Sequence, residues 1–347
     1  MVRRSVAQSG LTRRAVMASC LGVVGSIGHA RAESVHDPWS IATALPFAVQ
    51  EIYPTAFGDH IVLAGGIVDD PQSGIGASAR TVVYQPGERV WVDGPSLPIA
   101  LHHPGLVALP DLVMMMGGFV ANNDGFWQMQ KSVIILDRKL KGWMAGSELP
   151  TPRAEFVAAY THGQVVIAGG RTPNGISNRV YGDHVDVIDT LLLDPSTNRW
   201  RSGRPAPTAR NSAAGAVLDN RLHIVGGRIS AGSGIRNLDV HEVYDPATDR
   251  WSARAPMPQA QGGLAAAAFN GKLYAFGGEF FGVRSGVYKE AWAYDPVADS
   301  WQAVAPMPLP RHGLGAVAVA DGIHVIGGAT RAGADGRTDR HDIFRPI

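Results

Sequence analysis

Six tryptophans and six Gly-Gly pairs recur in fixed step along this chain. Trp39 to Gly65, Trp91 to Gly117, Trp143 to Gly169, Trp200 to Gly226, Trp251 to Gly277 and Trp301 to Gly327 are each separated by 26 residues. A proline stands 7 residues after each tryptophan, at 46, 98, 150, 207, 258 and 308. Self-similarity at a fixed period constrains the fold before any local motif does, because each unit must bury its apolar face against its neighbours. The step from Gly-Gly to the next tryptophan is the part that varies, at 26, 26, 31, 25 and 24 residues. Length variation is confined to one connection per unit. Insertions of this kind map to loops on one face of a repeat fold.

Apolar runs of strand length lie before Gly-Gly at Ile61–Ala64, Val165–Ala168, Leu222–Val225, Leu273–Phe276 and Ile323–Ile326. A further strand follows at Thr190–Asp194, Val240–Asp245 and Ala291–Asp295. Asp-Pro turns at 194, 245 and 295 then lead to a strand opened by the repeat tryptophan. No segment sustains helical periodicity for more than two or three turns. Short apolar runs with Gly, Pro and Asp turns between them read as strands, four to a unit.

In these units the chain resembles the Kelch-repeat β-propellers, from about Trp39 to the C-terminus. The resemblance implies an all-β, six-bladed Kelch-type β-propeller with four strands per blade. Trp39 opens a fourth strand with no strands before it, and His341–Pro346 aligns with a third strand that has none after it. The N-terminal strand is therefore expected to complete the last blade, and closure leaves only short, protected edges. The glycines are read as allowing close backbone approach, and the tryptophans as buried area between blades worth a few kcal/mol each.

Residues 1–32 read as an export signal, and 33–347 as a single propeller domain. Thr12-Arg13-Arg14-Ala15-Val16-Met17 resembles the twin-arginine pattern, with an ordinary secretory signal as the alternative. Ala15–Gly28 is mildly apolar and too short to span a membrane, and Ala30-Arg31-Ala32 is an A-x-A cleavage site. Cys20, the one cysteine, lies inside this segment, so a lipoprotein reading of Met17–Cys20 also stands. Otherwise the mature chain holds no disulfide, cysteine-ligated zinc or thiol nucleophile. Removing the leader takes five arginines and no acidic residue, moving the net charge from +1 to −4. That balance argues against nucleic acid as a partner. No later apolar run is long enough for a membrane span, so a soluble periplasmic or secreted product is expected.

The fixed register aligns equivalent positions in all six units. Three to five residues after the repeat proline stand Val49-Gln50-Glu51, Leu101-His102-His103, Arg153-Ala154-Glu155, Arg210-Asn211-Ser212, Gln261-Gly262-Gly263 and Arg311-His312-Gly313. Directly after Gly-Gly stand Ile67, Phe119, Arg171, Arg228, Glu279 and Ala329. In Kelch propellers these two loop sets form the ligand face near the axis. Glu51, His102, His103, Arg153, Glu155, Arg171, Arg210, Asn211, Arg228, Arg311 and His312 are therefore the candidate ligand-binding residues. Guanidinium forks suit a carboxylate or phosphate, while Glu and His suit proton transfer. The recurrent arginine after the proline has a plainer reading, as a donor to loop carbonyls. Phe126, Trp127, Phe280, Phe281 and Tyr288 are candidates for stacking on a sugar face. The long insertion Asn174–Asp189 carries Asp183, His184, Asp186 and Asp189, but it is no standard calcium loop, and no metal or cofactor is expected.

Gly277-Gly278-Glu279-Phe280-Phe281-Gly282-Val283-Arg284 resembles the Glu and Arg segment of bacterial N-acetylneuraminate epimerases, which are periplasmic Kelch propellers. The resemblance implies Glu279 as the catalytic proton carrier between ring oxygen and anomeric hydroxyl, with Arg284 holding the sugar carboxylate. Galactose oxidase and its relatives share the propeller, but their cofactor needs a cysteine beside a tyrosine, which the mature chain lacks. Two readings stand side by side. One is a propeller binding a small anionic or sugar-like ligand, with a mutarotase-type isomerase activity. The other is a non-enzymatic module gripping an acidic segment of a protein partner.

Overall fold

The computed structural model describes residues 37–122, 125–231 and 234–346. The segment read as an export leader, with its expected cleavage site and Cys20, lies outside them. From Asp37 onward the chain forms one compact unit. It is a ring of six four-stranded antiparallel sheets, each a simple meander from first to fourth strand. Blade 1 comprises Thr55–Phe57, His60–Ala64, Thr81–Gln85 and Val90–Asp93. Blade 2 comprises Gly105–Ala108, Leu112–Met116, Val133–Asp137 and Trp143–Ala145. Blade 3 runs from Val157 to Ser202, blade 4 from Ala214 to Ala253 and blade 5 from Ala265 to Val304. Blade 6 takes Gly315–Val319, Gly322–Ile326 and His341–Phe344 from the C-terminal end, and its fourth strand is Trp39–Ile41. Trp39 pairs with Phe344 and Ile41 with Asp342, so the ring closes as the sequence implied.

The repeat residues act between blades as well as within them. Each repeat tryptophan donates its indole N–H to the carbonyl four residues past the preceding repeat tryptophan. Trp91 reaches Thr43 at 3.0 Å, Trp143 reaches Pro95 at 3.0 Å and Trp200 reaches Ser147 at 3.1 Å. Trp251 reaches Arg204 and Trp301 reaches Ala255, both at 2.9 Å, and Trp39 reaches Ala305 at 3.0 Å across the closure. Only Trp39 among the six is fully buried; the others are half-buried. Their contribution is a directed hydrogen bond as much as area.

The Gly-Gly pairs are needed for two reasons, of which close approach is one. Every one of the twelve glycines has a positive φ, between 58° and 94° for ten of them and 103° and 108° at Gly66 and Gly278. Side-chain-bearing residues are strained there. The second glycine of each pair donates its N–H to the entry loop of the next blade. Gly66 bonds Leu101 O at 3.0 Å, Gly170 bonds Arg210 O at 2.8 Å and Gly328 bonds Val49 O at 2.8 Å across the closure. The axis itself is lined by small residues of the first strands, including Ala158, Ala214, Gly215, Ala265 and Ala266.

Two buried histidine pairs stitch blade to blade. His223 Nδ1 lies 3.0 Å from His241 Nε2, with Tyr294 and Trp301 of the next blade against His241. His324 Nδ1 lies 2.8 Å from His341 Nε2, against Tyr84 and Trp91. Burial lowers His223 to about 4; burial and the neighbouring imidazole lower His241 and His341 to about 3. A histidine depressed in the folded state takes up its proton more readily when unfolded. Its stabilising contribution is therefore full above about pH 6.5 and is lost as pH falls toward 4. Melting temperature is expected to fall over that window, and less steeply in a His223→Leu/His241→Phe variant. Equal acid sensitivity in both proteins would contradict the assignment.

Candidate functional site

Between its second and third strands each blade sends out a short ribbon or loop on one face. Five are two-stranded, such as Arg171–Pro173 with His184–Asp186 and Arg228–Ala231 with Gly234–Asn237. Blade 6 holds its loop by a single bridge between Ala329 and Arg337. Together these outgrowths wall a cavity of about 210 Å³. Each blade contributes: Ile67, Trp127, Tyr181, Ile235, Phe281 and the Gly333-Ala334 segment. Its floor is Gln50, Glu51, His103, Glu155, Arg228, Glu279 and His312. Ile235 and Phe281 remain partly exposed and mark the mouth.

Three of the floor residues, Glu51, His103 and Glu155, stand fifth after a repeat proline, the position that Ser212, Gly263 and Gly313 fill in the other units. All six have left-handed backbones, with φ from 47° to 68°. A belt of main-chain hydrogen bonds holds them around the axis. Glu51 N bonds Gly313 O, His103 N bonds Glu51 O, Ser212 N bonds Glu155 O, Gly263 N bonds Ser212 O and Gly313 N bonds Gly263 O, at 2.6–3.3 Å. Left-handed geometry at a non-glycine residue costs on the order of 1 kcal/mol or more, and persists where neighbours over-determine it. Here it turns the side chains of Glu51, His103 and Glu155 into the cavity floor.

These side chains join three others in a closed cycle of alternating acids and bases. His103 Nε2 lies 3.0 Å from Glu51 Oε2 and 3.9 Å from Glu155 Oε1. Arg228 Nη2 lies 4.0 Å from Glu155 Oε1, and its Nη1 lies 2.5 Å from Glu279 Oε1. His312 Nδ1 completes the cycle, 3.4 Å from Glu279 Oε2 and 3.7 Å from Glu51 Oε1. Burial alone would raise Glu51, but His103, His312 and Arg228 overcome it and hold the carboxyl at about 2. Burial alone would lower His103; the Glu51 carboxylate and its hydrogen bond, with Glu155, raise it instead. Burial and its charged neighbour push His102 well down.

Several polar atoms on this floor have no partner. Gln50 Oε1 and Nε2, Glu155 Oε2 and both ring nitrogens of His312 are buried without a hydrogen bond. His312 Nδ1, though near Glu279, is not in hydrogen-bonding geometry. A buried polar group left unmatched costs about 1–3 kcal/mol. Five such atoms converge on this one cavity.

The aligned positions sort into different tasks. Glu51, His103, Glu155, Arg228, Glu279 and His312 come together in the cavity. Arg153, Arg210 and Arg311 do not; they occupy the third position after the proline and point into their own blades. Each donates to the carbonyl of its blade's first repeat glycine and to a carboxylate, Asp189, Glu242 or Asp342, at 2.7 Å. The plainer reading of that recurrent arginine describes them. Arg171 is buried behind the wall, 3.7 Å over the Tyr181 ring and bonded to His184 O. Asn211 braces from outside, between Asp186 and Arg228 Nε. His102 sits behind His103, its Nδ1 2.6 Å from His103 Nδ1 and its Nε2 bonded to Phe126 O. Arg284 is exposed on its loop and does not line the cavity. The Glu279–Arg284 pairing that the local resemblance implied is not brought together.

Among the stacking candidates, Trp127 and Phe281 face the cavity, while Phe280 and Tyr288 pack on each other and Phe126 on His102. In the long insertion, Asp183 caps its own short 3-10 turn, Asp186 braces Asn211, and Asp189 pairs with Arg153. Gln50, Ser212 and Tyr181 are site residues that the charge-based reading passed over. Ser212 Oγ donates to Glu155 Oε1 and accepts from Arg228 Nη2, both at 3.0 Å. The register alone locates Gln50 and Ser212, whereas Tyr181 lies in an insertion that has no counterpart in the other units.

Comparison with known proteins points to one family. The profile of the KLHDC2/KLHL20/DRC7 Kelch-repeats domain matches residues 103–328. Kelch-like protein 25 of Xenopus tropicalis is 31% identical over 172 residues, covering 48% of this chain and 26% of its own length. Beta-scruin of Limulus polyphemus is 26% identical over 182 residues, covering 50% of this chain and 19% of its own. The chain thus spans about a fifth to a quarter of these curated relatives. The solved structure of YjhT superposes with a TM-score of 0.73 over 87% of this chain and 96% of that one. At 17% identity that likeness is one of fold.

Proposed function

The chain belongs to the Kelch-repeat family of β-propellers, and on that premise we propose that its axial cavity binds a small hydroxylated, sugar-like ligand and isomerises it by proton transfer. The observation that carries the reading is the set of five unpartnered buried polar atoms on the cavity floor. They offer acceptors and donors in close array, which suits hydroxyl groups, with Trp127 and Phe281 as apolar walls. The volume is below the roughly 300–1,000 Å³ of pockets for drug-sized ligands, which favours a monosaccharide over a peptide.

Glu279 and His312 are the proton-transfer pair. Glu279 is oriented by Arg228 and by the Gly333 N–H at 2.8 Å, and His312 stands beside it with Nε2 unengaged. In a mutarotation, Glu279 takes the anomeric hydroxyl proton while the ring C–O bond breaks. His312 delivers a proton to the released ring oxygen, and reclosure on the other face returns both. Positioned acid–base groups of this kind are worth about 10²–10⁴-fold in rate.

The anionic-ligand reading has less support, since three carboxylates face the cavity and Arg228 is its one arginine. The same facts weigh against a module gripping an acidic segment of a partner. Export by the leader, and hence action in the periplasm, belongs to the proposal. The test is NMR exchange spectroscopy of anomer interconversion over a panel of neutral, amino and acidic sugars. Wild type should accelerate at least one of them, and Glu279→Gln should lose about 10²-fold of that acceleration. No acceleration of any sugar by the wild type would end the isomerase reading.

A further inference from the structure

We propose that the sugar-like ligand carries a free amino group, seated as an ammonium against Glu155 Oε2. The inference rests on the pocket reading above and narrows its ligand class. Glu155 is 3% exposed and lines the cavity. Its Oε1 is engaged by Ser212 Oγ at 3.0 Å, while Oε2 is buried with no hydrogen-bond partner. A carboxylate oxygen accepts and cannot donate, so only a donor satisfies it. The cationic donors around the floor are turned elsewhere, His312 toward Glu51 and Glu279. Arg228 is spent on Glu279, Ser212 and Asn211, and His103 on Glu51 and His102.

The charges of the cycle lead to the same class of ligand. Three carboxylates, Glu51, Glu155 and Glu279, line the cavity against one arginine, Arg228, with the imidazoles of His103 and His312 between them. A buried site with unbalanced charge favours the ligand that balances it, and disfavours one that adds to the imbalance. An ammonium supplies a positive charge and the missing donor at once. A neutral hydroxyl supplies the donor alone, and a carboxylate supplies neither.

Binding of D-glucosamine, N-acetyl-D-glucosamine, D-glucose and D-glucuronate, followed by calorimetry on wild type and Glu155→Gln, tests this. Wild type should prefer glucosamine over glucose and N-acetylglucosamine by roughly ten- to hundredfold, the worth of one hydrogen bond to a charged group. Glu155→Gln should erase that preference, bringing glucosamine down to the affinity shown for glucose. Equal affinity of the wild type for the amino and neutral sugars overturns the ammonium assignment and leaves the pocket reading standing. A preference that survives Glu155→Gln overturns the seat at Glu155. No binding of any of the four overturns the ammonium assignment too. An isomerisation of some other sugar, detected by NMR exchange, would then show whether the pocket reading fails with it.

Discussion

Gly170→Ala is expected to destabilise the propeller by about 3 kcal/mol, whereas Gly58→Ala should cost only about 1 kcal/mol. Both glycines have positive φ, 82° and 60°, so both substitutions carry the penalty of placing a Cβ in a left-handed backbone. They differ in what the Cβ meets. At Gly58, in the turn between two strands of blade 1, there is nothing within 4 Å. At Gly170 the Cβ would lie 2.5 Å from Ala154 O, 2.7 Å from Phe156 Cβ and 2.9 Å from Phe156 Cα. Two of those atoms are main chain and cannot rotate away. Relief requires the entry loop to move, and that loop carries Glu155 on the cavity floor. Moving it also strains the Gly170 N–H bond to Arg210 O in the next blade. Chemical denaturation of the two variants separates the clash from the φ cost, and equal losses would contradict the interblade account of the repeat.

Asp342→Ala should be more damaging still among the charged residues, at about 3–5 kcal/mol. Arg311 and Asp342 are both fully buried and 2.7 Å apart, so removing the carboxylate leaves a guanidinium with no counter-charge. Burial already lowers Arg311 to about 10, with Asp342 as the compensating charge. The double replacement Arg311→Met/Asp342→Leu should recover part of the loss. It should stay about 1–3 kcal/mol below wild type, because Arg311 also serves Gly327 O and Arg340 O, which lose their donor. Asp189→Ala should cost only about 1 kcal/mol, because Asp189, the partner of Arg153, is 53% exposed. Blade 5 meets the same need without charge: Gln261 donates to Gly277 O at 2.6 Å and accepts from Trp292 Nε1. Unfolding free energies for the four proteins check the ordering.

The scaffold was almost wholly legible from spacing. The invariant 26-residue step requires Gly-Gly and tryptophan to occupy equivalent places in every blade, and Trp39 and His341–Phe344 pair as the unmatched ends required. What spacing does not carry is the direction of a side chain. Arg153, Glu155 and Arg171 lie within one unit, yet Arg153 turns into its blade, Glu155 turns to the axis and Arg171 lies under Tyr181. The difference between Arg153 and Glu155 follows from the left-handed backbone at Glu155, φ 57°, which a charge-by-charge reading does not register. Glu279 and Arg284 are five residues apart, but the Phe280–Val287 hairpin carries Arg284 out to solvent. Residues that break the repeat do mark the site where they stand fifth after the proline, as Glu51, His103 and Glu155 do, fourth, as Gln50 and His312 do, or directly after Gly-Gly, as Arg228 and Glu279 do.

The most direct test of the axial pocket is a thermal-shift screen of neutral, amino and acidic sugars on wild type beside Ala334→Trp. Ala334 lines the cavity from the blade 6 loop, and an indole there would fill the space a sugar takes. A ligand bound by the native state alone raises apparent stability by about 2.7 kcal/mol at a hundredfold excess over its dissociation constant. The expected result is a rise in melting temperature for at least one sugar with wild type and none with Ala334→Trp. No shift with any sugar, or equal shifts in the two proteins, would contradict a ligand site at the axis.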